Sequence, residues 1–171
     1  MNTNERPTLA LYHANGKGTG SAMKLELYPA KIGDPNSGAI YVTIAQQSSF
    51  GDRASIPPIY PTFDWDNSLK VKLGFTDLAK VLQVLRGETE SINDGKGLFR
   101  CYADKWQRIG FRHVIEPLAG YSMDVVEALD KNEHTNMDRR IRIFLSNAEA
   151  LGLSLAIEHS FAAIAFGVLV I

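Results

Sequence analysis

The sequence predicts an α+β chain in which four strands followed by one helix occur twice, and three observations carry that prediction. Short stretches alternate apolar and polar residues, as strands buried on one face do. Two apolar runs of helical period begin at capping residues and stop at or near glycine. The strand and helix closing the first half recur in the second half at a constant offset of 70 residues. Lys70 falls on Arg140, Val71 on Ile141, Lys72 on Arg142, Phe75 on Leu145, Thr76 on Ser146 and Leu85 on Leu155. The repeats cover about 7–90 and 97–167 of the 171 residues, read as one domain. Two copies suit a two-layer domain, whereas a solenoid needs three or more.

In AMKLELYP, Met23, Leu25 and Leu27 point to one face while Lys24, Glu26 and Tyr28 point to the other. GAIYVTIAQ does the same, with Ile40, Val42 and Ile44 inward and Tyr41 and Thr43 outward. KIGDPNS between them is turn chemistry, so a hairpin is expected. QQSSFGDRASIPPIYPT is proline-rich and without period, and reads as a long loop of the kind that often carries function. FDWD follows; Asp64 and Asp66 read as turn formers, because Leu69 and Phe75 stand where a calcium loop needs glycine and glutamate. LKVKL has Val71 and Leu73 inward and Lys70 and Lys72 outward; Thr76 is expected to cap the helix after it and Gly87 to stop it. In the second half GLFRCYA, KWQRIGFRHVIEP, GYSMDVVEAL and RRIRIFL read as strands. Ser146 with Glu149 forms a capping box for a helix from about Asn147 to Ala165.

Composition excludes several classes of function. Apolar residues make up 45% and charged residues 22% of the chain, which suits a packed core rather than disorder. With 18 Lys and Arg against 19 Asp and Glu, any polyanion site must be local. Cys101 alone makes no disulfide framework and fits a reducing compartment, and the polar MNTNERPTL lacks a signal peptide's apolar stretch. A cytoplasmic location is expected, at the nucleoid in a bacterium. The tail from Phe161 to Ile171 is too short to span a bilayer, which takes roughly 20 apolar residues, and reads as a buried or interface helix. GKGTG leads into a strand, not a helix, and so is no phosphate loop. The four histidines have no ligand spacing, and His113, on the parity of Ile109, Phe111 and Ile115, is expected in the core. Neither a metal nor catalysis is expected.

A nucleic-acid surface fits better, since it needs cations and rings on a sheet face rather than a catalytic cluster. The outward positions carry Lys24, Tyr28, Tyr41, Lys70, Lys72, Trp106, Arg108, Arg112, Arg140 and Arg142. Between Lys96 and His113, five cations stand against Asp104 alone. A charged outer face is also the ordinary way to solvate a half-buried sheet, so the pattern alone leaves both readings open.

FDWDNSLKVKLGFTDLAKVLQVL resembles, without a gap, the segment of the Whirly family of single-stranded-DNA-binding proteins in which an aromatic–Asp–Trp triplet leads into a strand and helix. GKGTGSAMKLELYP is similar to the family's lysine–glycine turn before its second strand, and FRHVIEPLAGYSMDVVEAL with RIRIFLSNAEALGLSLAIEHSFAAIAFG resembles its second repeat and long final helix. The likeness runs from about Tyr12 to Gly167. It implies two crossed four-stranded antiparallel sheets braced by two helices, four protomers gathered around the helices, and single-stranded DNA bound along the sheets with little sequence preference. It implies no catalysis and no cofactor. Carried over by position, Lys17 and Gly18 match the turn, Trp65 the triplet, and Lys70 and Lys72 the strand; Thr19, Gly20 and Ser21 depart from the family's second lysine and small residues. Lys17, Lys24, Lys70, Lys72, Arg108 and Arg112 are the expected phosphate contacts. Tyr41, Phe50, Trp65 or Trp106 are the expected stacking contacts, with Trp65 alternatively an anchor of its turn, and Phe50 and Arg53 sit in a loop able to close over a strand. RNA binding on the same surface and a protein-binding scaffold are the alternatives.

Overall fold

Alternation becomes two antiparallel sheets in the computed structural model, which describes residues 6, 8–102, 105–128 and 139–167. The first sheet has the order β1 (Thr8–His13), β2 (Ser21–Tyr28), β3 (Ala39–Gln46), β4 (Leu69–Leu73). The second has β5 (Leu98–Cys101), β6 (Trp106–Val114), β7 (Gly120–Ala128), β8 (Arg139–Leu145). Helix α1 (Phe75–Leu85) follows β4 and helix α2 (Asn147–Phe166) follows β8. The α+β expectation of a doubled ββββα unit is met. The first strand, TLALYH, alternates as the others do but is short and lies at the sheet edge.

One core joins both repeats. Met23, Leu25, Ile40, Val42, Ile44, Val71 and Leu73 from the first sheet meet Ile109, Phe111, Met123, Val125, Ile141 and Ile143 from the second. Helix α1 lies against β6 of the other repeat as well as β4, and α2 lies against β2 as well as β7 and β8. Each helix therefore covers apolar positions of both halves, which interlocks them. Between the helices, Phe75 and Phe161 meet edge to face at 5.0 Å and Arg86 pairs with Glu158 at 2.6 Å. By length and composition α2, at 20 residues, is long and apolar enough to cross a membrane; here it packs on both sheets. Leu151, Leu155 and Phe166 nevertheless stay exposed along it.

The helix starts sharpen the repeat. Ser146 caps α2 as expected: its hydroxyl accepts from the Glu149 backbone N–H, and Glu149 reaches back to the Ser146 N–H at 2.9 Å. Thr76 does not cap α1. Gly74 holds the cap position and Asp77 accepts from its N–H at 3.0 Å, because a carboxylate three residues on can satisfy that donor without a capping side chain. Gly74 thus answers Ser146, and Asp77 answers Glu149, at an offset of 72 rather than 70. The buried rows agree: Leu69, Val71 and Leu73 correspond to Ile141, Ile143 and Leu145, and Leu78 and Val81 to Ala150 and Leu153. Gly87 ends α1 as expected, with φ of 72°, its N–H on the Val84 carbonyl and that of Glu88 on the Gln83 carbonyl.

Glu149 also meets His13 of β1 at 2.6 Å. Burial pushes its carboxyl up, but the Ser146 backbone N–H, His13 and the Ser146 hydroxyl together outweigh this and hold it below the ordinary glutamate value of 4.5. A lowered folded pKa means stabilisation that is complete above the unfolded value and lost as pH falls through the folded one. Glu149→Ala is expected to cost about 1 kcal/mol at neutral pH, as loss of a helix cap does. Urea titrations at descending pH should show the gap from the parent chain closing below about pH 4.5.

Candidate nucleic-acid interface

Strand register decides which outward residues meet. On the first sheet, Lys24 lies opposite Thr43 and Thr43 opposite Lys70, while Glu26 lies opposite Tyr41 and Tyr41 opposite Lys72. The outer face is thus a band of alternating cations and hydroxyl-bearing or aromatic side chains. Tyr28 and Tyr41 lie 4.6 Å apart, Arg6 sits 3.8 Å over the Tyr28 ring, and the Lys70 ammonium is 5.1 Å from the Tyr41 ring. Lys70 also pairs with Glu26 at 2.8 Å, and that hydrogen bond raises the Lys70 ammonium above its ordinary value. Among the described residues, Glu26 is the one carboxylate in the middle of this band. Lys72 is half-buried, and Lys24 sits 3.9 Å over Trp65.

The turn after β1 and the long loop after β3 close one end of this face. Asn15 accepts from the N–H groups of Lys17 and Thr19, and buried Gln47 accepts from Asn15 and Gly20, so the turn presenting Lys17 is fixed from beneath. The Phe50 ring lies over Gly18, where an added Cβ would come within 3.0 Å of it. The loop is less irregular than its prolines suggest: Gln47 bridges Phe63 and Asp52 bridges Ile59, which makes it a narrow extension of the sheet. Asp64 accepts from the backbone and side chain of Asn67, the turn role expected of it. Tyr12, Phe63 and Trp65 form a ring cluster with centroids 5.6–6.4 Å apart. Ala22 and Ala45, in register with Tyr12, are fully buried beneath this end of the face. Arg53 and Tyr60 complete a cleft of about 730 Å³ over the cluster. Trp65 is half-buried with Lys24 on its face, so it anchors the cluster while Tyr12 and Tyr60 are more exposed.

The second sheet departs from expectation. Trp106 does lie on the outer face but is 3% exposed, packed with Val126 and Ala128, so it offers no stacking surface. Arg108 is held by Asp124 at 3.2 Å, and Arg140 reaches the same carboxylate oxygen at 3.1 Å. The cation excess between Lys96 and His113 is largely answered in space: Arg100 pairs with Asp77 and Lys105 with Glu127 as Arg108 does with Asp124. Arg112 remains exposed. His113 is not a core residue; its parity is inward, but β6 runs past the core there and the ring lies exposed beside Tyr121 at 5.1 Å. Ile115 is likewise exposed. Gly110 faces Asp124, and a Cβ there would approach the carboxylate to 2.4 Å. Gly110→Ala should therefore destabilise by about 1–3 kcal/mol, as overpacking does, read as a lowered urea midpoint at unchanged slope.

The structure brings Lys24 to Trp65, Lys70 to Tyr41, Phe50 to Gly18, and Arg53 into one cleft with Trp65. It adds Tyr12, Tyr60 and Glu26, and it sets Tyr28 beside Tyr41. Tyr12 was within reach of the sequence, since TLALYH alternates and its outward set is Thr8, Ala10 and Tyr12. Glu26 as the partner of Lys70 was not, because the two stand 44 residues apart.

No protein-family profile matches the chain, and no curated protein matches it by sequence. Solved structures do. WHY1 from Arabidopsis thaliana superposes with a TM-score of 0.69 at 12% identity, covering 98% of this chain and 89% of that one. WHY3 from Arabidopsis thaliana gives 0.66 at 12% identity, covering 94% and 89%. PBF-2, described as a plant transcriptional regulator, gives 0.64 at 14% identity, covering 92% and 89%. With two four-stranded antiparallel sheets, two helices and these structural neighbours, the chain has the Whirly fold.

Proposed function

We propose that this chain binds single-stranded DNA without catalysis and with weak sequence preference, serving DNA protection, repair, recombination or transcription regulation. The observation that carries the reading is the outer face of the first sheet, where Lys24, Lys70 and Lys72 alternate with Tyr28, Tyr41 and the Tyr12–Trp65 cluster. Ammonium groups meet phosphates, and rings receive bases with about 1–3 kcal/mol per stack whatever the base. A fold shared with a plant transcriptional regulator agrees with it. Lys17, Gly18, Phe50 and Arg53 frame the end of the path, and a strand lying there would pass from the sheet into the cleft beside Trp65.

Fluorescence anisotropy with oligo-dT, oligo-rU and a duplex, each at two salt concentrations, tests this. The expected result is salt-sensitive binding to oligo-dT and much weaker binding to duplex. Equal affinity for single strand and duplex, or no binding at low salt, refutes it; tighter binding of the ribo-oligomer would assign the surface to RNA.

The same reading includes a homotetramer. Leu151, Leu155 and Phe166 on α2, with Phe75 on α1, leave apolar surface that association would remove from water. Light scattering should give four times the protomer mass of 18.9 kDa at micromolar concentration, and a single protomer mass would overturn the assignment.

A further inference from the structure

The outer face of the second sheet holds a site of different chemistry. Four arginines, Arg108 and Arg112 from β6 and Arg140 and Arg142 from β8, line one cavity of about 340 Å³ whose far wall is the turn at Ser91, Gly95 and Gly97. Asp124 of β7 forms its floor and binds Arg108 and Arg140 through one oxygen. One carboxylate is thus shared by two guanidinium groups, which fixes both without neutralising both. Glu90 at the rim is the other acid lining the cavity among the described residues. Arg112 and Arg142 are exposed and have no carboxylate partner among the described residues. The Arg108 Nε is buried with no hydrogen-bond partner among the described residues. Gly110 keeps the floor open beside Asp124.

We propose that this cavity binds a compact polyphosphate group, two or more linked phosphates, either free or carried by a nucleotide. Guanidinium forks engage phosphate oxygens bidentately, so several converging arginines suit a group with many oxygens in a small volume. Each phosphate oxygen bonded there supplies the counter-charge that Asp124 alone does not. The cavity contrasts with the first sheet in its rings: Phe111 in its lining is 2% exposed, and among its described lining residues only the His113 imidazole at the margin reaches solvent. A bound strand would find no exposed Phe, Tyr or Trp to stack its bases on, whereas a polyphosphate needs none. The site is independent of the proposed DNA path on the first sheet.

Isothermal titration of the full chain with pyrophosphate, ATP and sulfate at matched ionic strength tests the proposal. Pyrophosphate and ATP should bind at least tenfold more tightly than sulfate. Equal affinity for the two assigns the phosphates alone, and a tighter ATP complex assigns a nucleotide. Arg112→Ala with Arg142→Ala should weaken pyrophosphate at least tenfold, and because both side chains are exposed the thermal melt should stay that of the parent chain. Lys24→Ala with Lys70→Ala should leave pyrophosphate binding intact whatever it does to oligo-dT, which separates this site from the DNA reading. Binding no tighter than sulfate, retention of affinity in the arginine variant, or its loss in the lysine variant would overturn the assignment.

Discussion

Replacing Lys24 and Lys70 together with alanine is expected to weaken binding of oligo-dT by at least about 100-fold at low salt, since a charge-assisted contact contributes about 1.5–3 kcal/mol and two are removed. Salt dependence gives a second, independent readout. Each phosphate contact to a single strand adds about 0.7 to the slope of log affinity against log salt, so the double variant should lose about 1.4 of that slope. The two lysines differ in what they leave behind. Removing Lys70 frees Glu26, 2.8 Å away, and adds an unpaired carboxylate to the face. Removing Lys24 uncovers the Trp65 ring, which an incoming base can then use. Lys70→Ala should therefore be the more damaging single change, in anisotropy titrations at matched salt. Identical slopes for parent and double variant would mean the strand does not lie on this sheet.

Asp124→Ala is expected to destabilise the chain by about 3 kcal/mol, in the range for removing one partner of a buried ion pair. The Asp124 side chain is 10% exposed and that of Arg108 21%, so the loss leaves a guanidinium largely out of water with nothing to answer it. Arg140 is 43% exposed and recovers solvation, so Arg140→Ala should cost about 1 kcal/mol or less. Against a total stability of about 5–15 kcal/mol, the aspartate change is severe. Urea unfolding at neutral pH separates the two variants; equal midpoints would show that Asp124 does not fasten this face.

The Whirly resemblance read from FDWD and its spacing to LKVKL led to the fold that the structure has, and the reason is local. Hydrophobic alternation is a property of neighbouring residues, and it placed the inward and outward sets of β2, β3 and β4 correctly. The capping box of α2 is equally local, with donor and acceptor three residues apart. The repeat offset went wrong by two residues for an instructive reason. A shift of two preserves which face of a strand each residue occupies, so β4 and β8 look well matched at either offset. Only the helices, with their period of 3.6, and the caps Gly74 and Ser146 distinguish the two.

Parity likewise placed Trp106 and His113 on the correct sides of β6, but parity has no depth. His113 lies inward where the strand has outrun the core, and Trp106 lies outward where Val126 and Ala128 bury it. By itself the sequence determined the strands from β2 to β8 but not β1, the second helix cap, the sides on which cations and rings stand, and the cationic character of both outer faces. Tertiary structure alone decided which of those cations are free. Glu26 reaches Lys70 across an intervening strand, and Asp124 gathers Arg108 and Arg140 from its two neighbours. Such pairs form because sheet register brings charges together across strands, and register is fixed by the packing of the whole core rather than by any window of sequence.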